Sequence, residues 1–280
     1  MDGIIIIKKA AGMTSHDVVN KLRKILKTKK VGHAGTLDPD ATGVLVICIN
    51  KATKILQFLS ADTKEYIATL KLGTHTTTYD ASGEVLESKD YEKIADEKIE
   101  TVIHEFLGPQ KQVPPIYSAI KINGKKAYEY ARNNEELVLE PRDICINAIE
   151  VLSIENDEIT FKVNCSKGTY IRSLCVDIAR KLGYPGHMLK LIRTKSGIFD
   201  LDKGYTLEEV EAGNFKILPK EDALSFYPSI VVENENIAYH GKKIKSDLNT
   251  LTVIKNKNNE VLAMYEPDQN GYLKSIRGLW

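Results

Sequence analysis

"GHAGTLDPDATG" (residues 32–43) runs straight into the apolar string "VLVICI" (44–49). Six consecutive apolar residues bounded by turn formers read as a buried strand. The twelve positions before it hold three glycines, one proline and two aspartates, which reads as a loop delivering something at the strand's mouth. Pro39 disfavours the helical region for the residue before it, so Asp38 is expected to be extended, while Gly35 and Gly43 permit turns that side chains would forbid. A carboxylate held this way is presented rather than floppy. Gly and Asp are also ordinary turn residues, and Asp-Pro alone is a routine turn initiator. The P-loop pattern G-x-x-x-x-G-K-[ST] does not occur, and no His, Cys or acidic cluster accompanies "DPD" to complete a hard-cation site.

Outward from the loop, Ile4 to Ile7 read as a short buried strand. Thr14 and Ser15 offer N-caps to a helix with Val18, Val19, Leu22, Ile25 and Leu26 on one face. Downstream, "KATKILQFLSAD" reads as helical, and "KEYIATLKLG" alternates Tyr66, Ala68, Leu70 and Leu72 on one face of a strand. "YEKIADEKIETVIHEFLGP" reads as an amphipathic helix using Ile99, Val102, Ile103 and Phe106, stopped at Gly108-Pro109. "DICINAIEVLSI" and "EITFKVNCS" read as strands joined by "END", a helix starts near Thr169 and is capped by Gly183, and "HMLKLIRTKSGIF" follows as a strand. The expected fold class is α+β: a mixed, mostly antiparallel sheet flanked by helices, then a small C-terminal β module. A catalytic domain is expected over 1–225 and the small module over 226–280. Strands and helices do not alternate regularly enough for a doubly wound parallel sheet.

The chain has 280 residues, 42% hydrophobic and 28% charged, which is an ordinary globular composition. Its net charge of +1 hides an uneven distribution. Residues 1–60 carry ten Lys/Arg against four acids and 161–195 eight against one, whereas 84–105 carry eight acids against three lysines. This asymmetry suits a basic face for a polyanion, although solubility patterning would also produce it. The four cysteines form no C-x-x-C pair, so buried free thiols in a reducing compartment are expected. The run of four isoleucines is too short for a signal or membrane segment, and a cytoplasmic protein without membrane contact is expected.

The longer string "KKVGHAGTLDPDATGVLVICINKATK" resembles the signature of the TruB-type tRNA pseudouridine synthases. "GMTSHDVV", "KEYIATLKLG", "TTTYDASGEV", "VPPIYSAIKINGKKAYEYAR" and "CSKGTYIRSL" resemble further family strings in the same order. The resemblance covers about the first 200 residues strongly and the remainder weakly. It implies isomerisation of uridine 55 in the T-loop of tRNA, with a pseudouridine synthase-like fold, a PUA-like C-terminal module, no cofactor, no metal, and action as a monomer.

Residue by residue, the resemblance makes Asp38 the nucleophile, Arg172 its guanidinium partner and Tyr66 the ring that stacks on an extruded uracil. Leu191 closes the uracil pocket, and His33 lies against the flipped nucleotide. Lys9, Lys121, Tyr170 and Arg193 are expected to bind substrate, the lysines and Arg193 through phosphates. Tyr117, Tyr128 and Tyr130, interleaved with lysines in the 109–135 segment that resembles an insertion closing over RNA, suit stacking. Two positions depart from the family pattern: Ala10 replaces a common proline, and Ile192 a common arginine. Whether the carboxylate adds to the base, attacks C1′ or assists through a glycal stays open at this level. The alternative reading is a non-catalytic tRNA-binding or tRNA-folding protein on the same scaffold. A glycosidase ranks last, because Asp40 is too close in sequence to serve as the opposing carboxylate.

Overall fold

The structure, a computed structural model, describes residues 1–59, 63–133, 135 and 137–280. The chain forms two compact units: Met1–Pro39, Gly43–Ala61 and Gly197–Trp280 make the first, and Asp40–Thr42 with Asp62–Ser196 the second.

The first unit opens with strand β1 (Gly3–Lys9), helix α1 (Ser15–Ile25) and strands β2 (Val31–Ala34) and β3 (Thr42–Ile49). β1 and β2 both pair antiparallel with β3, Ile4 and Gly32 each opposite Cys48. The continuous apolar run of β3 is explained by burial on both faces. Val44, Val46 and Cys48 join Ile4 and Ile6 in one cluster, while Leu45, Ile47 and Ile49 join Ile5, Ile7, Val18, Val19 and Leu22 in the other. Each such side chain contributes about 1.5–3 kcal/mol when fully buried. Helix α1 starts in a capping box: the Asp17 amide donates to Thr14 Oγ1, and the Thr14 amide donates to Asp17 Oδ2. Ser15 is thereby left for another task.

The expected helix after β3 is a 3-10 helix, Asn50–Phe58. Its buried residues Ala52, Ile55 and Phe58 fall at intervals of three, the repeat of that tighter helix. Thr53 reinforces it by donating its hydroxyl to the Asn50 carbonyl three residues back. The end of the expected segment, 60–62, lies outside the described residues.

The second unit contains β4 (Thr63–Leu72), β5 (Thr74–Thr76), β6 (Val85–Ser88), α2 (Asp96–His104), β7 (Gly108–Gln112), β8 (Lys121–Ile122), β9 (Lys125–Lys126), α3 (Ala127–Arg132), β10 (Arg142–Glu155), β11 (Glu158–Ser166), α4 (Ile171–Lys181) and β12 (Gly186–Ser196). Five of its strands run side by side in the order β12-β4-β11-β10-β7, all antiparallel. Tyr66, Ala68, Leu70 and Leu72 are all buried, as their alternation requires. Helix α4 packs against β12 and β4, burying Ile171, Leu174, Cys175, Ile178 and Ala179. Helix α2 is shorter than its periodicity suggests. Ahead of it the Glu92 amide donates to the Tyr184 hydroxyl and the Ile94 amide to the Tyr91 hydroxyl, which hold 91–95 in a non-helical path. Between β8 and β9, Asn123 and Gly124 both have positive φ, 51° and 86°, the geometry of a type I′ hairpin turn.

The rest of the first unit comprises β13 (Phe199–Asp200), α5 (Leu207–Glu211), α6 (Lys220–Ala223), β14 (Ser229–Val231), α7 (Asn236–Tyr239), β15 (Ile244–Lys245), β16 (Thr252–Lys255), β17 (Val261–Pro267) and β18 (Tyr272–Gly278). A separate five-stranded sheet has the order β14-β16-β17-β18-β15, with β14 parallel to β16 and the other pairs antiparallel. The expected boundary at 225/226 falls just before this sheet. Its Val253, Val261 and Met264 nevertheless share an apolar cluster with Ile4 and Val44, so the sheet is packed into the first unit rather than standing apart. Its other residues Tyr265, Leu273 and Ile254 cover Ala238 of α7.

All four cysteines are free, and Cys48, Cys165 and Cys175 are buried. Burial pushes the Cys48 thiol up to about 12 and Cys165 up to about 11, and raises Cys175 too. Iodoacetamide at pH 8 should therefore alkylate half-buried Cys145 at least about 100-fold faster than the other three, read by peptide mass spectrometry of the native protein.

Candidate active site

The loop carrying Asp38 is fixed from both sides. Ser15, at the first helical position of α1, accepts the Leu37 amide at 2.9 Å and donates its hydroxyl to the Leu37 carbonyl at 3.1 Å. One buried hydroxyl thus satisfies both backbone groups of the residue before Asp38. On the other side, Lys9 at the end of β1 donates Nζ to the Pro39 carbonyl at 2.7 Å and to that of Ala10 at 2.9 Å. Gly35 takes φ 81° and Gly43 φ 104°, the left-handed values the glycines were expected to supply. Asp38 itself is half-buried. His33 lies on β2 opposite Ile47 of β3. Ser15→Ala is expected to destabilise the protein by about 1–3 kcal/mol in urea unfolding, because two buried backbone groups lose their partner. Hydrogen exchange at the Leu37 amide should accelerate with it.

Lys9 is therefore not placed as a phosphate contact. It is 2% exposed, and its ammonium is turned inward onto the loop, consistent with the rule that a buried charge must find acceptors. The same correction applies to Arg193, which is 1% exposed. It sits on β12 directly opposite Tyr66 on β4, and the two side chains are hydrogen-bonded. Burial lowers the Arg193 pKa, and the tyrosine oxygen beside it opposes that shift. Leu191, two residues earlier on β12 and opposite Ala68, is buried on the same face. Thr42, four residues after Asp38, donates its hydroxyl to the Leu191 carbonyl at 3.4 Å.

Arg172 lies in the first turn of α4 and is buried, a position in a mostly apolar helix that an arginine tolerates only when its charge is paired. Its Nη1 donates to the Thr78 carbonyl at 2.9 Å and lies 3.6 Å from Asp80 Oδ2, while Nη2 donates to the Tyr117 carbonyl at 3.0 Å. Asp80 was not singled out from the sequence. The signal for it was the clustered Thr/Asp/Ser of "TTTYDASG": Asp80 Oδ1 accepts the Thr78 hydroxyl, the Ser82 hydroxyl and the Ser82 amide, which folds the turn around one carboxylate. Tyr170 precedes α4 and exchanges two backbone hydrogen bonds with the Gln112 amide side chain. Tyr170 also packs against Ile120, Ala127 and Leu139, a small apolar cluster of the 114–139 segment.

In that segment Lys121 is exposed on β8. Two of the three tyrosines expected to stack, Tyr128 and Tyr130, carry cations over their rings. The Tyr128 ring lies against Lys126 Nζ at 5.4 Å and the Arg132 guanidinium at 5.2 Å, and Lys125 lies 5.3 Å from the Tyr130 ring. These cations, with the exposed Lys121, make the segment basic. Lys29, Lys30 and Lys167 are also exposed. Among the described residues, no three His, Cys, Asp or Glu side chains gather where they could hold a metal ion. No helix among them is long and apolar enough to cross a membrane.

Comparison with known proteins places this arrangement among relatives. Residues 23–171 match the model of the TruB family pseudouridylate synthase N-terminal domain, and 172–225 that of the tRNA pseudouridylate synthase B C-terminal domain. A tRNA pseudouridine synthase B of Bacillus cytotoxicus is 44% identical, covering 100% of this chain and 97% of that protein. One from Clostridium tetani is 46% identical, covering 96% of this chain and 93% of that protein. Among solved structures, a Cbf5-Nop10-Gar1 complex aligns at TM-score 0.78 with 27% identity, over 99% of this chain and 85% of the matched one. An H/ACA RNP bound to a substrate RNA containing 2′-deoxyuridine aligns at TM-score 0.75 with 26% identity, over 99% of this chain and 85% of the matched one.

Proposed function

Because the chain belongs to the TruB family of pseudouridylate synthases, we propose that it isomerises uridine 55 in the T-loop of tRNA, with Asp38 as the nucleophile. The observation that carries this reading is the clamped loop: a half-buried carboxylate whose flanking backbone is held by Ser15 on one side and Lys9 on the other. Preorganisation of this kind is what a nucleophile needs, since a loop that has to be ordered at each turnover gives up part of the proximity advantage.

The reaction is a balanced rearrangement. The N1–C1′ bond breaks, the base turns, a C5–C1′ bond forms, the C5 proton leaves and N1 takes a proton. Base addition, attack at C1′ and a glycal route all require one ionised carboxylate, and Asp38 supplies it. In this reading Arg172 provides the positive charge that favours the ionised form. Tyr66 offers its ring to the uracil, its hydroxyl oriented by Arg193, and Leu191 closes the pocket on the same face. A stacked base exposes neither C1′ nor C5, so the uridine must swing out of its loop. His33 and Tyr170 are assigned to the flipped nucleotide and its neighbours. Lys121, with the exposed lysines of the basic surface, is assigned to phosphates, which position the RNA without reading its sequence. Residues 226–280 are assigned as a short PUA-like RNA-binding module serving the catalytic residues of 1–225, and the protein is taken to act as a monomer without metal or cofactor.

The test uses a T-arm hairpin carrying 5-tritiated uridine. Tritium should be released stoichiometrically from the T-loop position and not from a hairpin with cytidine there. Absence of release, or equal release from both hairpins, would overturn the assignment.

A further inference from the structure

Among the described residues, six non-glycine positions have positive φ, and four of them are asparagines, a residue type that tolerates this region well. Tyr79 is the exception that matters. At φ 64° a bulky aromatic residue sits in the left-handed region, at a cost of about 1–3 kcal/mol. Its neighbours in sequence are Thr78, whose carbonyl accepts from Arg172 Nη1, and Asp80, whose carboxylate lies by that same nitrogen. In an extended chain the Thr78 carbonyl would lie along the backbone plane and the Asp80 side chain roughly perpendicular to it; a left-handed residue between them reverses the backbone and lets the two converge on one atom.

We propose that Tyr79 is a positioning residue for Arg172, its left-handed backbone turning the Thr78 carbonyl and the Asp80 carboxylate together onto one guanidinium nitrogen. The surroundings hold it there. The Met188 amide donates to the Tyr79 carbonyl at 3.0 Å and the Ala81 amide to the Met188 carbonyl at 3.1 Å, so both flanks of the turn are stitched to β12. The Tyr79 ring rests 5.0 Å from the His75 ring. The Thr76 hydroxyl closes the turn onto the Asp80 carbonyl at 2.6 Å. Gly83 completes it by close approach, since a Cβ there would stand 2.5 Å from Thr78 Oγ1 and 2.7 Å from the Thr78 amide nitrogen.

This inference rests on the role of Arg172 in the proposed reaction, and the experiment separates the two. Tyr79→Gly, Tyr79→Asn, Tyr79→Ala and Tyr79→Val form a series of falling tolerance for the left-handed region. In tritium release from the T-arm hairpin, kcat should fall in that order: within about threefold of wild type for Gly and Asn, and at least about 30-fold down for Val, with KM unchanged within about twofold. A structural role alone would scale with melting temperature, so kcat is measured well below each variant's melting point. In an Asp80→Asn background the Gly-to-Val spread should shrink by at least about threefold, because one of the two groups that Tyr79 turns onto Arg172 no longer carries a charge. Should Val fail to fold, the comparison of Gly with Ala, about fivefold apart in kcat, decides instead. An active wild type with a flat series, or a spread that persists in Asp80→Asn, overturns the positioning role alone. An inactive wild type overturns the proposed function instead.

Discussion

Asp38→Asn should bind tRNA within about twofold of wild type and release tritium at least about 10⁴-fold more slowly. The amide matches the carboxylate in shape and keeps the loop's backbone bonds, since Ser15 and Lys9 hold the Leu37 and Pro39 backbone. What it lacks is the anion. A covalent or proton-transfer route from this position loses its nucleophile outright, and the remaining pocket contacts supply binding but little rate. Filter binding and single-turnover kinetics on one preparation separate the two effects. A variant retaining a tenth of the wild-type rate would exclude the carboxylate as nucleophile.

The second large effect is expected at Arg172. Replacing it by Met leaves the Thr78 and Tyr117 carbonyls without their donor and strips the mostly buried Asp80 carboxylate of its cation. Removing one partner of a buried ion pair typically costs about 3–5 kcal/mol, and the lower end is expected because Asp80 keeps its bonds from Thr78 and Ser82. Urea unfolding should therefore shift by about 3 kcal/mol, and kcat should fall about 100-fold or more at temperatures where the variant is folded. Arg172→Lys should recover only part of either, because one ammonium cannot span acceptors that the guanidinium reaches with two separate nitrogens. A combined Arg172→Met, Asp80→Asn variant should be more stable than Arg172→Met alone while remaining inactive. A stability change below about 1 kcal/mol in Arg172→Met would contradict the pairing.

Much of the architecture was readable because burial leaves periodic marks. The unbroken apolar run of 44–49 meant a strand covered on both faces, the alternation of 66–72 a strand buried on one face, and the spacing of 171–182 a helix packed on a sheet. The misreadings arose where a periodic pattern continued past what the backbone could follow. Residues 91–95 keep helical spacing, but tyrosine hydroxyls take two of their amides. A helical reading of 51–62 does not by itself separate a 3-10 helix from an α-helix, although the buried residues of 50–58 recur every three positions. In the site, the glycine–proline frame of Asp38 was legible, whereas its clamps were not. A lysine after four isoleucines looks like a surface cation until tertiary structure supplies the carbonyl it meets. Arg193 carried a clearer mark, since it shares parity with Leu191 along β12 and so had to face inward beside Tyr66. Asp80 and Tyr79 depend on a turn conformation, and composition alone does not fix the sign of φ.

The most direct test of the central claim is mapping of pseudouridine in an unmodified tRNA transcript after incubation with the purified protein, with no nucleotide or other cofactor added. One pseudouridine, at T-loop position 55, is the expected result. No pseudouridine at all, or pseudouridine only outside the T-loop, would contradict it.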